Sequence, residues 1–297
     1  MQEKRVFYPA GRHPLLPVLF VIPQMVVIGL FFLYPAGQAI SGSLFVEDPF
    51  GLHSEFVWFE NFTQLFKDPL YRSSIWVSLL FSACVVILSM SSALLLAVLA
   101  DRVRTGKRLY TSILTIPYAV APAVAGVLWA FLFDPNNGVI THFLAFFGYA
   151  WDHRINGGQA MLLVIIAASW KQIAYNFLFF LAGLHAIPKS FLEAAAIDGA
   201  GFGKRFWTIV WPLISPTTFY LLVINSIHSL FSNFGIIHSI TQGGPGMSTN
   251  ILVYKVYLDG FVGRDYGSSS AQSVILMILV SILTYIQFKY VEKKVQY

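Results

Sequence analysis

Charge is what this 297-residue chain has least of. Asp, Glu, Lys and Arg together make up 11% of it, where a soluble domain carries roughly 25%. That shortage, with 57% hydrophobic residues and a mean hydropathy of +0.68, excludes a free soluble globule. Cysteine is almost missing as well: Cys84 is the only one, so no disulfide can form within the chain. The seven histidines include no His-x-x-x-His pair with an acid between, so no metal site is expected.

The runs without charge are long and numerous. Residues 15–34, 75–100, 110–133, 212–240 and 271–288 contain no Asp, Glu, Lys or Arg, and 160–184 is interrupted only by Lys171. Each is near or above the ~20 residues, range ~17–25, that a helix needs to cross the hydrocarbon core. The expected fold class is an all-α membrane protein with six transmembrane helices. The run 15–34 follows a basic segment but contains Pro17 and Pro23 and leads into no small-residue cleavage pattern, so it reads as a retained first helix.

The net charge of +5 raises the question of nucleic acid, and the placement of the cations answers it. Lys4, Arg5 and Arg12, then Arg102, Arg104, Lys107 and Arg108, then Lys189, Lys204 and Arg205, then Lys289, Lys293 and Lys294 fall on one side if six helices alternate. Lys67, Arg72, Arg154, Lys255 and Arg264 fall on the other. This is the positive-inside pattern, which puts both termini in the cytoplasm and requires no nucleic acid. Residues 1–14 and 291–297 are then cytoplasmic tails, and 15–290 form the transmembrane domain.

The longest outer connection, 36–74, mixes the acids Glu47, Asp48, Glu55, Glu60 and Asp68 with aromatics such as Phe56, Trp58 and Phe59, and is expected to form short helices at the membrane surface. Asp134-Pro135-Asn136-Asn137-Gly138 and Thr241-Gln242-Gly243-Gly244-Pro245-Gly246 are turn clusters on the same side. Asn61-Phe62-Thr63 matches a glycosylation sequon, a three-residue pattern that recurs by chance.

The inner connection 186–211 carries the most specific signal. Ser190 is a candidate N-cap with Glu193 three residues on, Ala194, Ala195 and Ala196 favour helix, Gly199 permits a turn, and a second helix begins over Phe206–Val210. The product is a helix–turn–helix projecting into the cytoplasm. Gly199, Gly201, Gly203 and Lys204 do not make a phosphate-binding loop, because Asp198 stands at the first Gly position and Arg205 replaces the Ser or Thr.

The same segment resembles the EAA loop of ABC importer permeases through Glu193, Ala194, Ala195, Asp198, Gly199, Ala200, Ile209 and Pro212, with Trp211 in place of the usual Leu. The resemblance implies the MetI-like permease fold and a coupling role for Glu193, Ala194, Ala195, Asp198, Gly199, Ala200, Phe206 and Pro212. In that family the loop docks into a cleft of a separate ATPase, so this chain would be no enzyme and hold no cofactor; ATP and Mg would sit in the partner. The 241–245 turn and Ile116-Pro117-Tyr118-Ala119-Val120-Ala121-Pro122 look like the carbohydrate-uptake class. Gly138-Val139-Ile140-Thr141-His142, Trp170-Lys171-Gln172-Ile173 and Ala271-Gln272-Ser273-Val274 are similar to permeases of sn-glycerol-3-phosphate importers. The partners this implies are a second homologous permease, an ATPase dimer and a periplasmic substrate-binding protein, besides membrane lipids.

Polar residues inside the spans are costly and mark either a pathway or a helix contact. Lys171 lies near the middle of its span, where it either meets an anionic substrate or pairs with another helix. Gln172 and Asn176 sit close by on that span. Asn225, His228, Ser229 and Ser232 share one helical face by their spacing, and Asn233 follows; they line the path or bond a neighbour. Pro117 and Pro122 are expected to kink the third span. Two other readings compete: the same machinery importing a sugar or oligosaccharide, and an ion-coupled secondary transporter. The latter calls for acids within the spans, and there are none.

Overall fold

In the computed structural model the described residues are 15–47, 53–103 and 105–295; the tail 1–14 and Arg104 lie outside them. Helix α1 (Leu15–Ile28) runs through a π-helical turn at Gly29–Leu33 into α2 (Tyr34–Gly42). The wider turn falls immediately before Pro35, whose ring has no N–H and would crowd the preceding turn of a regular helix. The strands β1 (Phe45–Glu47) and β2 (Ser54–Phe56) then pair antiparallel, with Phe45 opposite Phe56. The short helix expected between 36 and 74 is α3 (Glu60–Lys67), and the strand pair beside it was not expected. The buried Asn61 donates to the carbonyls of Ser43 and Phe45 at 2.9 Å each, so its amide fastens α3 to the hairpin.

Helix α4 (Pro69–Arg102) starts where the Asp68 carboxylate accepts from the Leu70 and Tyr71 N–H groups and Pro69 occupies the first turn. After it come α5 (Lys107–Ala119), α6 (Pro122–Leu132), α7 (Val139–Phe146), and α8 (Gly157–Ala186), the last capped by Asn156. The hairpin after α8 contains α9 (Lys189–Ile197) and α10 (Phe202–Arg205), which continues through a π-helical turn at Phe206–Val210 into α11 (Trp211–Leu213). That turn again precedes a proline, Pro212. The chain closes with α12 (Ser215–Phe231), α13 (Phe234–Ile240), α14 (Leu252–Tyr257) and α15 (Tyr266–Ile286).

Among the described residues, four continuous helices are long and apolar enough to cross a membrane, at Leu19–Gly42, Pro69–Arg102, Gly157–Ala186 and Tyr266–Val291. The other two expected spans are broken. α5 and α6 meet at 103°, and the rod Phe202–Leu213 meets α12 at 65°, so the count reaches six if each bent pair is one span. What was expected as a kink at Pro117 and Pro122 is a sharp corner. Val120 and Ala121 are extended, with ψ of 129° and 142°, as a residue before proline prefers. The run 212–240 is likewise not one helix, because Ser232 and Asn233 leave α-helical geometry between α12 and α13.

The centre is the pairing of α4 with α8. Lipid offers no hydrophobic drive for helices to associate, so close backbone approach through small side chains does the work. α4 buries Ser74, Ser78, Ser82, Ser89, Ala93, Ala97 and Ala100, and α8 buries Ala160, Ala167, Ala168, Ser169 and Ala174. α6 and α13 pack by the same device: a Cβ on Gly126 would stand 2.8 Å from the Ser239 Cβ, and one on Gly235 would stand 3.1 Å from the Ala123 nitrogen. Lys255 is buried in a charge network, 2.8 Å from Asp259 and 3.7 Å from Asp68, which ties α14 to the start of α4.

Candidate functional site

The hairpin from α9 to α11 is built by local chemistry. Ile187 and Pro188 leave α8 in extended conformation, and α9 begins immediately afterwards with Pro188 at its N-cap. Ser190 is therefore inside the first turn and caps nothing, which corrects the expected capping box. The other end behaves as anticipated. Gly199 has φ of +76°, the Ala200 N–H donates to the Ala195 carbonyl at 2.9 Å, and the Gly199 N–H donates to the Ala196 carbonyl at 3.1 Å. These are the two bonds of a Schellman cap, and glycine meets the left-handed position without a Cβ penalty.

One side of the hairpin is rooted and the other is bare. Val210 and Ile214 are buried against Ala93, Ala97 and Ala100 of α4 and Phe177 and Phe180 of α8, with Phe206, Trp211 and Leu192 packed on them. The Arg102 guanidinium lies 3.5 Å from the centre of the Phe202 ring, and Arg205 donates to the Leu192 carbonyl at 3.4 Å. Away from the root, Glu193, Ala194, Asp198 and Gly199 are exposed, while Ala195, Ala200, Phe206 and Pro212 are half-buried. The tip also presents apolar surface: Ile197 is 87% exposed and Trp207 64%. A groove of about 440 Å³ runs between the two arms, lined by Ala194, Ala195, Asp198 and Pro212 among others. Such a surface on a polar-side projection fits a partner.

The polar residues of the spans fall into two groups. Asn176 and Asn225 are buried and exchange bonds, Asn225 donating to the Asn176 side-chain oxygen at 2.7 Å and Asn176 donating back at 3.1 Å. Asn176 also reaches Ser89 at 3.3 Å and Asn225 the Leu221 carbonyl at 2.7 Å, so α4, α8 and α12 share one cluster. Ser229 bonds Ser82 of α4, and Gln287 donates to Ser226 at 2.8 Å. Asn233 donates to the Ser229 carbonyl at 3.1 Å and satisfies the end of α12. Gln172 is buried in α8.

Lys171 and His228 are only half-buried. The Lys171 ammonium donates to the Val120 carbonyl, a group freed by the corner between α5 and α6, and places its charge at the C-terminal end of α5 where a cation is favoured. Beside it runs an aromatic surface that periodicity in the sequence did not reveal. Tyr118 and Tyr175 have ring centres 5.7 Å apart, Tyr175 and Phe179 4.8 Å, and Phe179 and Tyr220 5.3 Å, with the Tyr175 and Tyr220 hydroxyls 3.1 Å apart. Lys171, Tyr175 and Phe179 lie at successive four-residue steps of α8 and so share a face; that spacing was the available signal. After α6, Asp134 accepts from the Asn136 and Asn137 N–H groups, which, with the nearby cation Arg154, hold its carboxyl below the usual range.

Comparison with known proteins adds three findings. A family model described as binding-protein-dependent transport system inner membrane component matches residues 93–297. The sn-glycerol-3-phosphate transport system permease protein UgpA of Rhizobium meliloti is 54% identical over 294 residues, covering 99% of both chains, and that of Yersinia pseudotuberculosis is 56% identical over 282 residues, covering 95% of this chain and 96% of its own. Among solved structures, a bacterial alginate ABC transporter in complex with an alginate-bound periplasmic protein contains a chain that superposes with a TM-score of 0.81 at 19% identity, over 92% of each chain. A chain of the inward-facing MetNI methionine ABC transporter superposes with a TM-score of 0.56 at 16% identity, over 80% of this chain and 99% of its own; at these identities the likeness is one of fold.

Proposed function

The chain belongs to the family of binding-protein-dependent transport system inner membrane components, and from that premise we propose that it is the permease subunit of an ABC importer that carries sn-glycerol-3-phosphate. The substrate reading is supported by relatives of that name above 50% identity across nearly the whole chain. The single observation that carries the mechanism is the rooted hairpin with its bare tip. Its exposed Glu193, Ala194, Asp198 and Gly199 dock into a separate ATPase subunit, which holds ATP and Mg, while Val210 and Ile214 at its root press on α4 and α8. Force applied at the tip thus reaches the central helix pair through packed side chains. The cation bias puts the hairpin in the cytoplasm, together with the tails 1–14 and 291–297, and 15–290 form the membrane domain. A second homologous permease and a periplasmic binding protein complete the assembly, a composition consistent with the fold match to transporter complexes.

Within the membrane the two polar groups divide the work. Asn176, Asn225 and Ser229 hold helices together, Asn233 closes the end of α12, Gln172 is buried within α8, and Lys171 with His228 and the tyrosine surface faces the substrate path. An ammonium beside phenol hydroxyls and ring faces suits an anionic phosphate carried on a small polyol.

The test is reconstitution with the neighbouring ATPase and binding protein, carrying Glu193→Ala or Gly199→Val. No atom lies within 4 Å of a Cβ placed on Gly199, so valine there strains the backbone turn without a clash. Both changes are expected to reduce substrate-stimulated ATP hydrolysis and uptake together by at least roughly tenfold, about 1.4 kcal/mol. Undiminished coupled hydrolysis in both variants overturns the assignment.

A further inference from the structure

A second charged feature lies beside the tyrosine surface, Leu178 being three residues from Tyr175 on α8 and Thr115 three from Tyr118 on α5, where α5 and α8 approach the cation-rich side. There a groove of about 720 Å³ is lined by Lys107, Arg108, Thr111, Ser112 and Thr115 of α5 and by Leu178, Leu181 and His185 of α8. The lining positions on α5 fall at three- and four-residue steps, and so do those on α8, so two helix faces form the walls. The wall is graded along the two helices. Lys107 and Arg108 begin α5, the three hydroxyls follow over its next two turns, and on α8 Leu181 and Leu178 lie one and two turns from His185. From Lys107 to Thr115 the helix rises roughly 12 Å.

The polar groups are unevenly engaged. The Lys107 ammonium is 2.8 Å from His185 Nε2 and 3.7 Å from the Asp101 carboxylate, and His185 is 3.3 Å from that carboxylate. Asp101 itself is not part of the groove wall, so Lys107 is held in place from behind. Arg108, by contrast, forms no hydrogen bond or ion pair among the described residues, and neither do the hydroxyls of Thr111 and Ser112. A partly neutralised lysine, a free guanidinium and two free hydroxyls leave about one unit of positive charge and several donors facing outward. The matching ligand has one negative charge, several acceptor oxygens and an apolar continuation toward the bilayer interior.

We propose that this groove is a binding site for the phosphodiester headgroup of an anionic glycerophospholipid, with Arg108 and Lys107 on the phosphate, Thr111 and Ser112 on its oxygens or the headgroup hydroxyls, and an acyl chain along Leu178 and Leu181. Basic pockets between membrane helices on the cytoplasmic side suit such headgroups, each cation contributing about fivefold in affinity. The inference rests on the proposed topology for its side of the membrane. A free phosphate shares the headgroup chemistry, but it leaves the apolar end of the groove unfilled; the lipid fills both ends.

The protein extracted from membranes with its co-purifying subunits is placed in mixed phosphatidylglycerol and phosphatidylcholine, and retained lipids are counted by native mass spectrometry. Phosphatidylglycerol is expected to be retained in preference to phosphatidylcholine, with occupancy reduced about fivefold by Arg108→Gln and reduced also by Thr111→Leu, which obstructs the groove with every charge in place. Inorganic phosphate and glycerol-3-phosphate, added in millimolar excess, are expected to leave the lipid bound. Equal retention of the two lipids, retention unchanged in both variants, or release of the lipid by inorganic phosphate each overturns the proposal. Arg108 has no hydrogen-bond or ion-pair partner to lose among the described residues, so its variant is expected to fold on the same contacts as the parent. The readout involves no ATP hydrolysis: a failed hairpin test with preserved lipid selectivity indicts the transport reading, and the reverse indicts the groove.

Discussion

Replacing Asn225 by valine removes a buried, reciprocally bonded amide from the meeting point of three helices. It loses the 2.7 Å and 3.1 Å bonds exchanged with Asn176 and strands the Asn176 oxygen in an apolar interior; the nitrogen keeps Ser89 at 3.3 Å. Interhelical hydrogen bonds in membrane proteins average about 0.6 kcal/mol, with a maximum near 1.7, and an orphaned buried amide oxygen costs about 1–3 kcal/mol. The expected loss for Asn225→Val is thus about 2–4 kcal/mol, and Asn176→Val loses a similar amount by the same reasoning. In the double variant neither orphan remains. Its loss is expected to fall short of the sum of the single losses by about 3–6 kcal/mol, the two orphan costs together with the shared bonds that the sum counts twice. Denaturant unfolding in lipid–detergent micelles, followed by tryptophan fluorescence for the four proteins of the cycle, measures that coupling. Additivity within about 0.3–0.5 kcal/mol refutes the structural role of the pair. Single variants of full stability with abolished uptake return both residues to the substrate path.

Lys255→Met leaves Asp259 and Asp68 without the cation buried between them, and a loss of about 3–5 kcal/mol is expected, seen as a lower unfolding midpoint in the same micelles. Gly126→Leu forces side-chain atoms into the Ser239 Cβ and the Ile236 backbone; the overpacking costs about 1–3 kcal/mol and is expected to separate α6 from α13 in a cysteine cross-linking assay. Lys171→Met abolishes the bond to the Val120 carbonyl and the cation of the substrate path. Uptake is expected to fall roughly tenfold or more, the worth of a charge-assisted hydrogen bond, with assembly intact and Lys171→Arg restoring part of the rate.

The spans were legible because exclusion of charge is a property of the bilayer, visible in any window of sequence. The hairpin was legible for a different reason. Gly199 and the alanines of α9 act through their own backbone, so their meaning does not depend on distant residues. The corner between α5 and α6 was only half legible: Pro117 and Pro122 announce a break, but its angle follows from Gly126 and Gly235 bringing α6 onto α13, a contact more than a hundred residues long in sequence. Asn225 and Ser229 were placed correctly on one face, yet periodicity cannot say what that face meets, and Ser82, Ser89 and Asn176 come from two other helices. Lys255 escaped notice because a lysine in a polar connection reads as solvated, whereas here Asp259 and Asp68 hold it in the interior. The strand pair at Phe45–Glu47 and Ser54–Phe56 was missed because three-residue strands have too little alternation to register.

The direct measurement is sidedness labelling of the hairpin tip. Cys84 is the only cysteine, so Cys84→Ser with Ala194→Cys places a single thiol on the exposed face of α9. A membrane-impermeant maleimide is expected to label it in inside-out vesicles stripped of the ATPase, to fail in right-side-out vesicles, and to be blocked when the ATPase is added back. Labelling from the periplasmic side, or labelling indifferent to the ATPase, contradicts the account.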